Sequence, residues 1–239
     1  MNYALIFAGG TGSRMNSKTL PKQFLELHGK PIIIYTIELF EEHPDIDGIV
    51  VVCLEKYIPY LEKLLKKFQI TKVQAIVPGG DNGQESIYHG VRKLHEICPE
   101  DSIVLVHDGV RPLIDEDTIT ANIECARQNG NAITTSHAIE TVVLRNDEGQ
   151  IVQIADRSHC EMARAPQTFI LKELYDCHQR AIKENIHSFI DSASLMRYYG
   201  ATLHTVEGPA DNIKITTPPD FYIFRAIKDA QEDSQIFGL

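Results

Sequence analysis

No stretch of the 239-residue chain approaches 18 uninterrupted apolar residues, so no membrane-spanning helix is expected. The opening MNYALIFAGG has neither the basic segment nor the small-residue cleavage site of a signal peptide, which makes a soluble cytoplasmic protein the expectation. Five cysteines (Cys53, Cys98, Cys125, Cys160 and Cys177) are scattered, odd in number and without a CxxC, arguing against a disulfide framework or a structural zinc site. Basic clusters interleaved with aromatic residues are missing and the formal net charge is −10, so nucleic acid is not an expected partner. Any anionic ligand must therefore be held by a few local cations. Repeats, low-complexity segments and linkers are absent too, and the chain reads as one domain spanning 1–239.

What is present is a core-forming share of apolar residues, 43%, arranged as short β-rich runs between helical patterns. YALIF (3–7) precedes a glycine loop, and PIIIYTIELFEEH (31–43) follows as a helix with Pro31 in its first turn. GIVVVCL (48–54) has the continuous apolar character of a strand buried on both faces. An amphipathic helix in KYIPYLEKLLKKF, the strand KVQAIV, a PGG turn, a helix from about Gln84 to Ile97 and the strand SIVLVH complete the alternation. This order predicts an α/β fold with a mostly parallel, Rossmann-like sheet and helices on both faces. After Asn131 the pattern changes: two alternating segments flank Asn146-Asp147-Glu148-Gly149, the chemistry of a hairpin turn, which predicts a protruding arm over about 137–160. Helices are expected again over 171–184 and 191–199, a strand in ATLHTVEG, and a last helix from Asp220.

The loop FAGGTGSRMNSKTLPKQF (7–24) has three glycines, then Arg14, then Lys22 behind Pro21. A P-loop requires a lysine followed by serine or threonine at a spacing this segment does not have. The dinucleotide fingerprint begins with Gly10-Thr11-Gly12 but has Met15 in its third glycine position. A longer strand-end loop remains, in which glycines let backbone N–H groups approach a triphosphate while Arg14 and Lys22 neutralise it. An ordinary glycine-rich turn with two solvated cations is the competing account, and Pro21 weighs against it by stiffening the chain that presents Lys22.

AGGTGSRM followed by LPKQF resembles the signature of nucleotidyltransferases that activate sugar or polyol phosphates. The PKQF form is similar to the CTP-using methylerythritol phosphate and ribitol-5-phosphate cytidylyltransferases. Further matches follow in family order: VPGG (77–80) with Ser86, VHDGVRP (106–112), Thr141, DRSHCEMARAPQTF (156–169) and DNIKIT (211–216). The resemblance covers nearly the whole chain. It implies attack of a polyol phosphate oxygen on the α-phosphorus of CTP, with release of pyrophosphate, in the presence of Mg²⁺ or another divalent cation.

The resemblance also implies roles. Arg14, Lys22 and Lys214 surround the triphosphate and stabilise the transition state. Ala8, Gly9, Gly10, Thr11 and Gly12 receive its phosphates, and Gly79, Gly80, Asp81 and Ser86 receive the cytidine. Asp108, at the carboxyl end of SIVLVH, is expected near the metal or the polyol hydroxyls, with a turn cap as the alternative. Arg111 either binds phosphate or anchors its loop by a salt bridge, and His107 reads as a packed histidine. Thr141 and Arg157, on the arm, are expected to cross a homodimer interface to the partner's substrate. Ala165 and Ile190 stand where methylerythritol phosphate enzymes tend to have hydroxyl side chains. This favours ribitol 5-phosphate, with methylerythritol phosphate as the alternative acceptor. A nicotinamide-dependent oxidoreductase and a non-catalytic nucleotide-binding protein are the rivals from other classes.

Overall fold

In a computed structural model that describes residues 1–10 and 20–237, the expected α/β architecture is present. Strand β1 (Asn2–Ala8) is followed by a single 3-10 turn at Lys22–Phe24, a small hairpin of β2 (Glu26–Leu27) and β3 (Lys30–Pro31), and helix α1 (Ile32–Glu42). The chain continues through β4 (Gly48–Cys53), α2 (Ile58–Lys67), β5 (Val73–Pro78), α3 (Gly83–Ile97) and β6 (Ile103–Asp108). Then come α4 (Glu116–Asn129), β7 (Asn131–His137), a second hairpin of β8 (Val143–Arg145) and β9 (Ile151–Ile154), and the long β10 (Glu161–Ile170). Helices α5 (Leu171–Lys183) and α6 (Ser192–Tyr198), strand β11 (Thr205–Glu207) and helix α7 (Pro218–Phe237) complete the described chain.

The central sheet has seven strands in the order β11-β7-β10-β6-β1-β4-β5. Only β10 runs against its neighbours; β1, β4, β5, β6, β7 and β11 pair in parallel. The carboxyl ends of β1, β4, β5, β6 and β7 therefore share one edge with the amino end of β10. That is the edge at which open α/β sheets bind ligands.

Strand periodicity splits the core into two layers. Ala4, Ile6, Ile49, Val51, Ile103 and Leu105 pack on one face against residues of α1, α2 and α4. Tyr3, Leu5, Val50, Val52, Val104 and Val106 pack on the other against α3, α5 and α6. Because alternate residues must satisfy opposite faces, β4 and β6 are buried at every position, as the apolar run of 48–54 predicts. A third, smaller cluster joins Leu27, Ile32, Val110, Leu113 and Ile215 to Phe224 of α7.

Three local expectations need correction. Segment 131–137, at whose end the arm was expected to begin, is β7, a central-sheet strand, and the hairpin within the expected arm is β8 and β9. Gly149 closes it at φ 86°, with Asn146 Oδ1 accepting from Gln150 N at 2.9 Å. ATLHTVEG yields only β11, an edge strand paired to β7 alone. Helix α7 starts at Pro218, before Asp220, whose carboxylate reaches back to Thr216 N and Thr217 N at 2.9 and 2.7 Å. Strand β10, whose apolar positions are interrupted by Arg164 and Pro166, carries no strand signal in the sequence, yet it is the strand that joins the two halves of the sheet.

Phe24 sits at 0% exposure between the rings of Tyr57 and Tyr60, with centroids 5.2 and 5.3 Å away. Phe24→Ala is expected to cost about 3–5 kcal/mol in chemical denaturation, the range for emptying a fully packed aromatic site.

Candidate active site

A cleft of about 580 Å³ opens at the carboxyl edge of the sheet over β1, β5 and β6. Ala8, Gly9 and Gly10 form its floor, Gly80, Asp81 and Ser86 one side, and Lys22, Asp108 and Lys214 the other. Nine of the residues singled out from sequence are thus brought together. Thr11, Gly12 and Arg14 lie outside the described residues.

The nucleotide side is built from two loops in direct contact. A Cβ on Gly79 would lie 3.1 Å from Gly9 Cα, and one on Gly9 would lie 3.0 Å from Ser86 Oγ, so neither position has room for a side chain without displacement. Gly79 supports the floor from behind and does not line it. Ser86 Oγ accepts from Gly80 N at 3.0 Å, which leaves its own proton to donate. The next turn is held reciprocally: Asn82 Oδ1 caps α3 through Glu85 N at 2.9 Å, and Glu85 Oε2 reaches back to Asp81 N at 2.7 Å. The amino end of a 15-residue helix therefore points its unpaired N–H groups and partial positive charge toward the cleft.

Each residue of Pro-Lys-Gln-Phe has a separate task. Pro21, at φ −58° and ψ 148°, sets the chain direction into the 3-10 turn, and Phe24 anchors its far end in the core. Lys22 Nζ donates to Ile215 O at 2.9 Å, at the cleft wall. Gln23 is 1% exposed, and its Nε2 donates to Ala8 O at 2.7 Å and Gly10 O at 3.2 Å. Gln23 thus clamps the start of the glycine loop, a role the sequence reading did not give it. Its position between Lys22 and Phe24 in a matched motif was the available signal.

Opposite lies an ion triad. Asp108 Oδ1 pairs with Lys214 Nζ, and Oδ2 accepts from Arg111 Nε at 2.9 Å. Arg111 Nη1 also donates to Asn212 O at 2.7 Å, and Ile215 N donates to Val110 O at 2.9 Å, so the segment carrying Lys214 is fastened to the end of β6. Burial by itself would raise the Asp108 pKa; the charges and hydrogen bonds of Lys214 and Arg111 outweigh it and hold the carboxyl below its ordinary value. Arg111 is 8% exposed, and its Nε and Nη1 are bonded to Asp108 and Asn212 O, so it anchors the loop as one of its two expected roles requires. His107 is wholly buried, is pushed down to about 4 chiefly by desolvation, and meets Arg111 O at 3.1 Å; it is a packed neutral histidine, as expected.

Residues 3–229 match the family described as IspD: 2-C-methyl-D-erythritol 4-phosphate cytidylyltransferase. The chain belongs to this cytidylyltransferase family. It is 52% identical, over all of both chains, to a protein of Vibrio parahaemolyticus named ribitol-5-phosphate cytidylyltransferase. It is 36% identical to a 2-C-methyl-D-erythritol 4-phosphate cytidylyltransferase of Clostridium botulinum, covering 93% of this chain and 95% of that one. Its fold matches the crystal structure of 4-diphosphocytidyl-2C-methyl-D-erythritol synthase from Anaerococcus prevotii with a TM-score of 0.81, at 24% identity and covering 95% and 96% of the two chains. The cleft that brings Gly9, Gly10, Lys22 and Asp108 together thus belongs to a chain of a cytidylyltransferase family.

The arm residues do not join that cleft from their own chain. Thr141 and Arg157 are exposed, and Arg157 Nη1 donates to Ile139 O at 3.1 Å. As a metal site, the described residues offer no group of three or more Asp, Glu, His or Cys side chains. Two carboxylates, Asp81 and Asp108, line the cleft, and Asp108 already faces two cations.

Two outcomes follow from this geometry. Gln23→Leu should raise the KM for CTP about tenfold or more with little change in melting temperature, measured by initial rates and thermal denaturation; an unchanged KM would show that the clamp is dispensable. Asp108→Asn leaves Arg111 buried without its carboxylate and should cost about 3–5 kcal/mol near neutral pH. Since the folded pKa is depressed, that contribution is present above the ordinary Asp pKa and lost as pH falls through the folded value. The difference between variant and wild type in denaturant titrations should therefore shrink only in acid below the usual carboxylate range.

Proposed function

We propose that this protein transfers the cytidylyl group of CTP to ribitol 5-phosphate, forming CDP-ribitol and pyrophosphate, as a homodimer that uses Mg²⁺. The full-length 52% identity to a protein named for that acceptor carries the choice of substrate. Ala165 and Ile190, which offer no side-chain donors, favour it over methylerythritol phosphate, for which the family itself is named.

The chemistry follows from charge. An ionised oxygen of the acceptor phosphate forms a bond to the α-phosphorus of CTP as the bond to the pyrophosphate oxygen breaks. No proton need be removed from this nucleophile, so no general base is required, in keeping with the neutral, buried His107. The obstacle is repulsion between two polyanions, about 4 kcal/mol for each pair of unit charges 4 Å apart at an effective dielectric of 20. Lys22 and Lys214 bring positive charge to one wall, while the α3 amino end and the Gly9-Gly10 backbone supply dipoles from the floor and the other side. Arg14 is assigned the same task on its motif alone. A Mg²⁺ bound with the nucleotide would supply further neutralisation, with Asp108 as the nearest carboxylate to Lys214 available to meet it.

The arm supports the dimer. Ile151, Val152 and Ile154 are 62, 62 and 66% exposed on β9 of the two-stranded sheet, and Ile139, in the segment leading into it, is 80% exposed. An isolated hairpin is marginal in water, and a contiguous apolar surface of this kind favours burial by a second subunit. Thr141 and Arg157 then serve the partner's acceptor phosphate.

Incubation with CTP, Mg²⁺ and a panel of polyol phosphates should release pyrophosphate fastest with ribitol 5-phosphate; silence with every acceptor would defeat the proposal. Lys22→Ala should lower turnover more than about a hundredfold, the scale of lost preorganised charge. Heterodimers of Lys22→Ala and Arg157→Ala subunits should regain part of the activity that each homodimer lacks, and no recovery in verified heterodimers would place both residues in sites built from one chain.

A further inference from the structure

Beyond Asp108, in the direction of β10, the same sheet edge carries one more cation, Arg164. Strand β10 pairs with β7 through Ala163↔Thr135 and again from Gln167↔Ile133, so residues 164–166 bulge out of the ladder. On its other side Gln167 pairs with Val106, two residues before Asp108. The bulge therefore lies level with the end of β6. A bulge takes side chains out of the strand's alternation, and Arg164 stands in this one, at the sheet edge beside the cleft but not among its lining residues.

Arg164 is half-buried, and its one hydrogen bond among the described residues runs from Nε to Ser136 Oγ at 3.0 Å. Its two terminal nitrogens have no protein partner there, and no described carboxylate pairs with it. Burial and then the nearby charge of Arg111 both act against its cationic form. A guanidinium nonetheless stays charged at neutral pH. Arg111 offers it no relief, because Asp108 and Asn212 O already occupy that side chain. A partly dehydrated cation beside a second cation, with its planar fork open, is matched by an anion that can take two parallel N–H bonds, and a phosphomonoester is such an anion.

The cleft's two sides indicate which phosphate this is. The β1 and β5 loops and the α3 amino end take the nucleotide, whereas Arg164 lies across β6 from them. We infer that Arg164 binds the phosphomonoester of the acceptor and holds it on the β10 side of the α-phosphorus. It neither donates nor removes a proton in the transfer; it positions the attacking group and contributes to acceptor selection. This rests on the cytidylyl-transfer reading above, but not on ribitol as the particular polyol.

The test begins by finding which of ribitol 5-phosphate and 2-C-methyl-D-erythritol 4-phosphate the wild type uses with CTP and Mg²⁺, and carries that acceptor into Arg164→Gln and Arg164→Lys. Arg164→Gln should raise the acceptor KM about 10- to 100-fold while the KM for CTP stays within about twofold, and Arg164→Lys, which keeps the charge and loses the fork, should fall between. An unchanged acceptor KM, or equal shifts in both, would overturn the assignment. A readout independent of turnover comes from the Nε–Hε resonance of Arg164 in the wild type, identified by its loss in Arg164→Lys, which should move on titration with inorganic phosphate. An unmoved resonance counts against the inference even if neither polyol is a substrate, an outcome that would separately reject the proposed acceptor.

Discussion

The cleft depends on a buried carboxylate shared between two cations. Asp108 ends the central strand β6, and its partners come from the next turn, Arg111, and from a segment about a hundred residues later, Lys214. A lone carboxylate at 6% exposure would be costly, as would a lone guanidinium at 8%. Together they satisfy each other, and the geometry of that satisfaction fixes the 211–216 segment against the sheet. Lys22 depends on it in turn, because the carbonyl it contacts belongs to Ile215. The two lysines assigned to catalysis are thus set by one ion cluster, although they lie far apart in the chain.

This arrangement also limits how the charge is used. With Asp108 between them, Lys214 and Arg111 contribute a net charge of about one unit, and an entering triphosphate must compete with a carboxylate for Lys214. Arg111, 8% exposed and bound to Asp108 and Asn212 O, is the less accessible of the two cations. Removing a buried pair's partner costs more than the pair itself is worth. The triad is therefore better understood as a device for placing a mobile ammonium than as a source of stability. Lys suits the exposed position, since its point charge on a flexible stem can turn from Asp108 to phosphate, whereas Arg suits the buried one, where a rigid fork holds carboxylate and backbone together.

The parallel half of the sheet was legible because β1, β4 and β6 are buried on both faces, so each carries a continuous apolar run: ALIFA, IVVVC and IVLV. The nucleotide loops were legible for a related reason: backbone must approach backbone at Gly9 and Gly79, and only glycine permits it. What could not be read was whatever depended on distant pairing. Strand β10 is polar and irregular at its amino end because it bulges there, so periodicity misses it. Arg111 could be left only as phosphate ligand or anchor, since the choice rests on whether Asp108 and Asn212 O come within reach. Gln23 looked like an ordinary polar residue, and its importance lies in two carbonyls more than ten residues away.

The same contrast explains why the nucleotide is easier to assign than its acceptor. In the proposed reaction CTP would meet main-chain N–H groups, a helix end and lysines, general features for holding a triphosphate. The proposed acceptor side rests on side chains of β10, its bulge and the arm, where one residue can change the donors available without disturbing the sheet. Ala165 and Ile190 remove donors, Arg164 supplies a fork, and the exposed arm places Thr141 and Arg157 away from their own cleft. A polyol with one more hydroxyl than another is distinguished by buried groups that it does or does not satisfy, and a missing partner there costs far more than a missing surface contact. Selectivity therefore belongs to the antiparallel strand and the arm, the parts of the fold with the least regular sequence, while the parallel core and its glycine loops hold the chemistry constant.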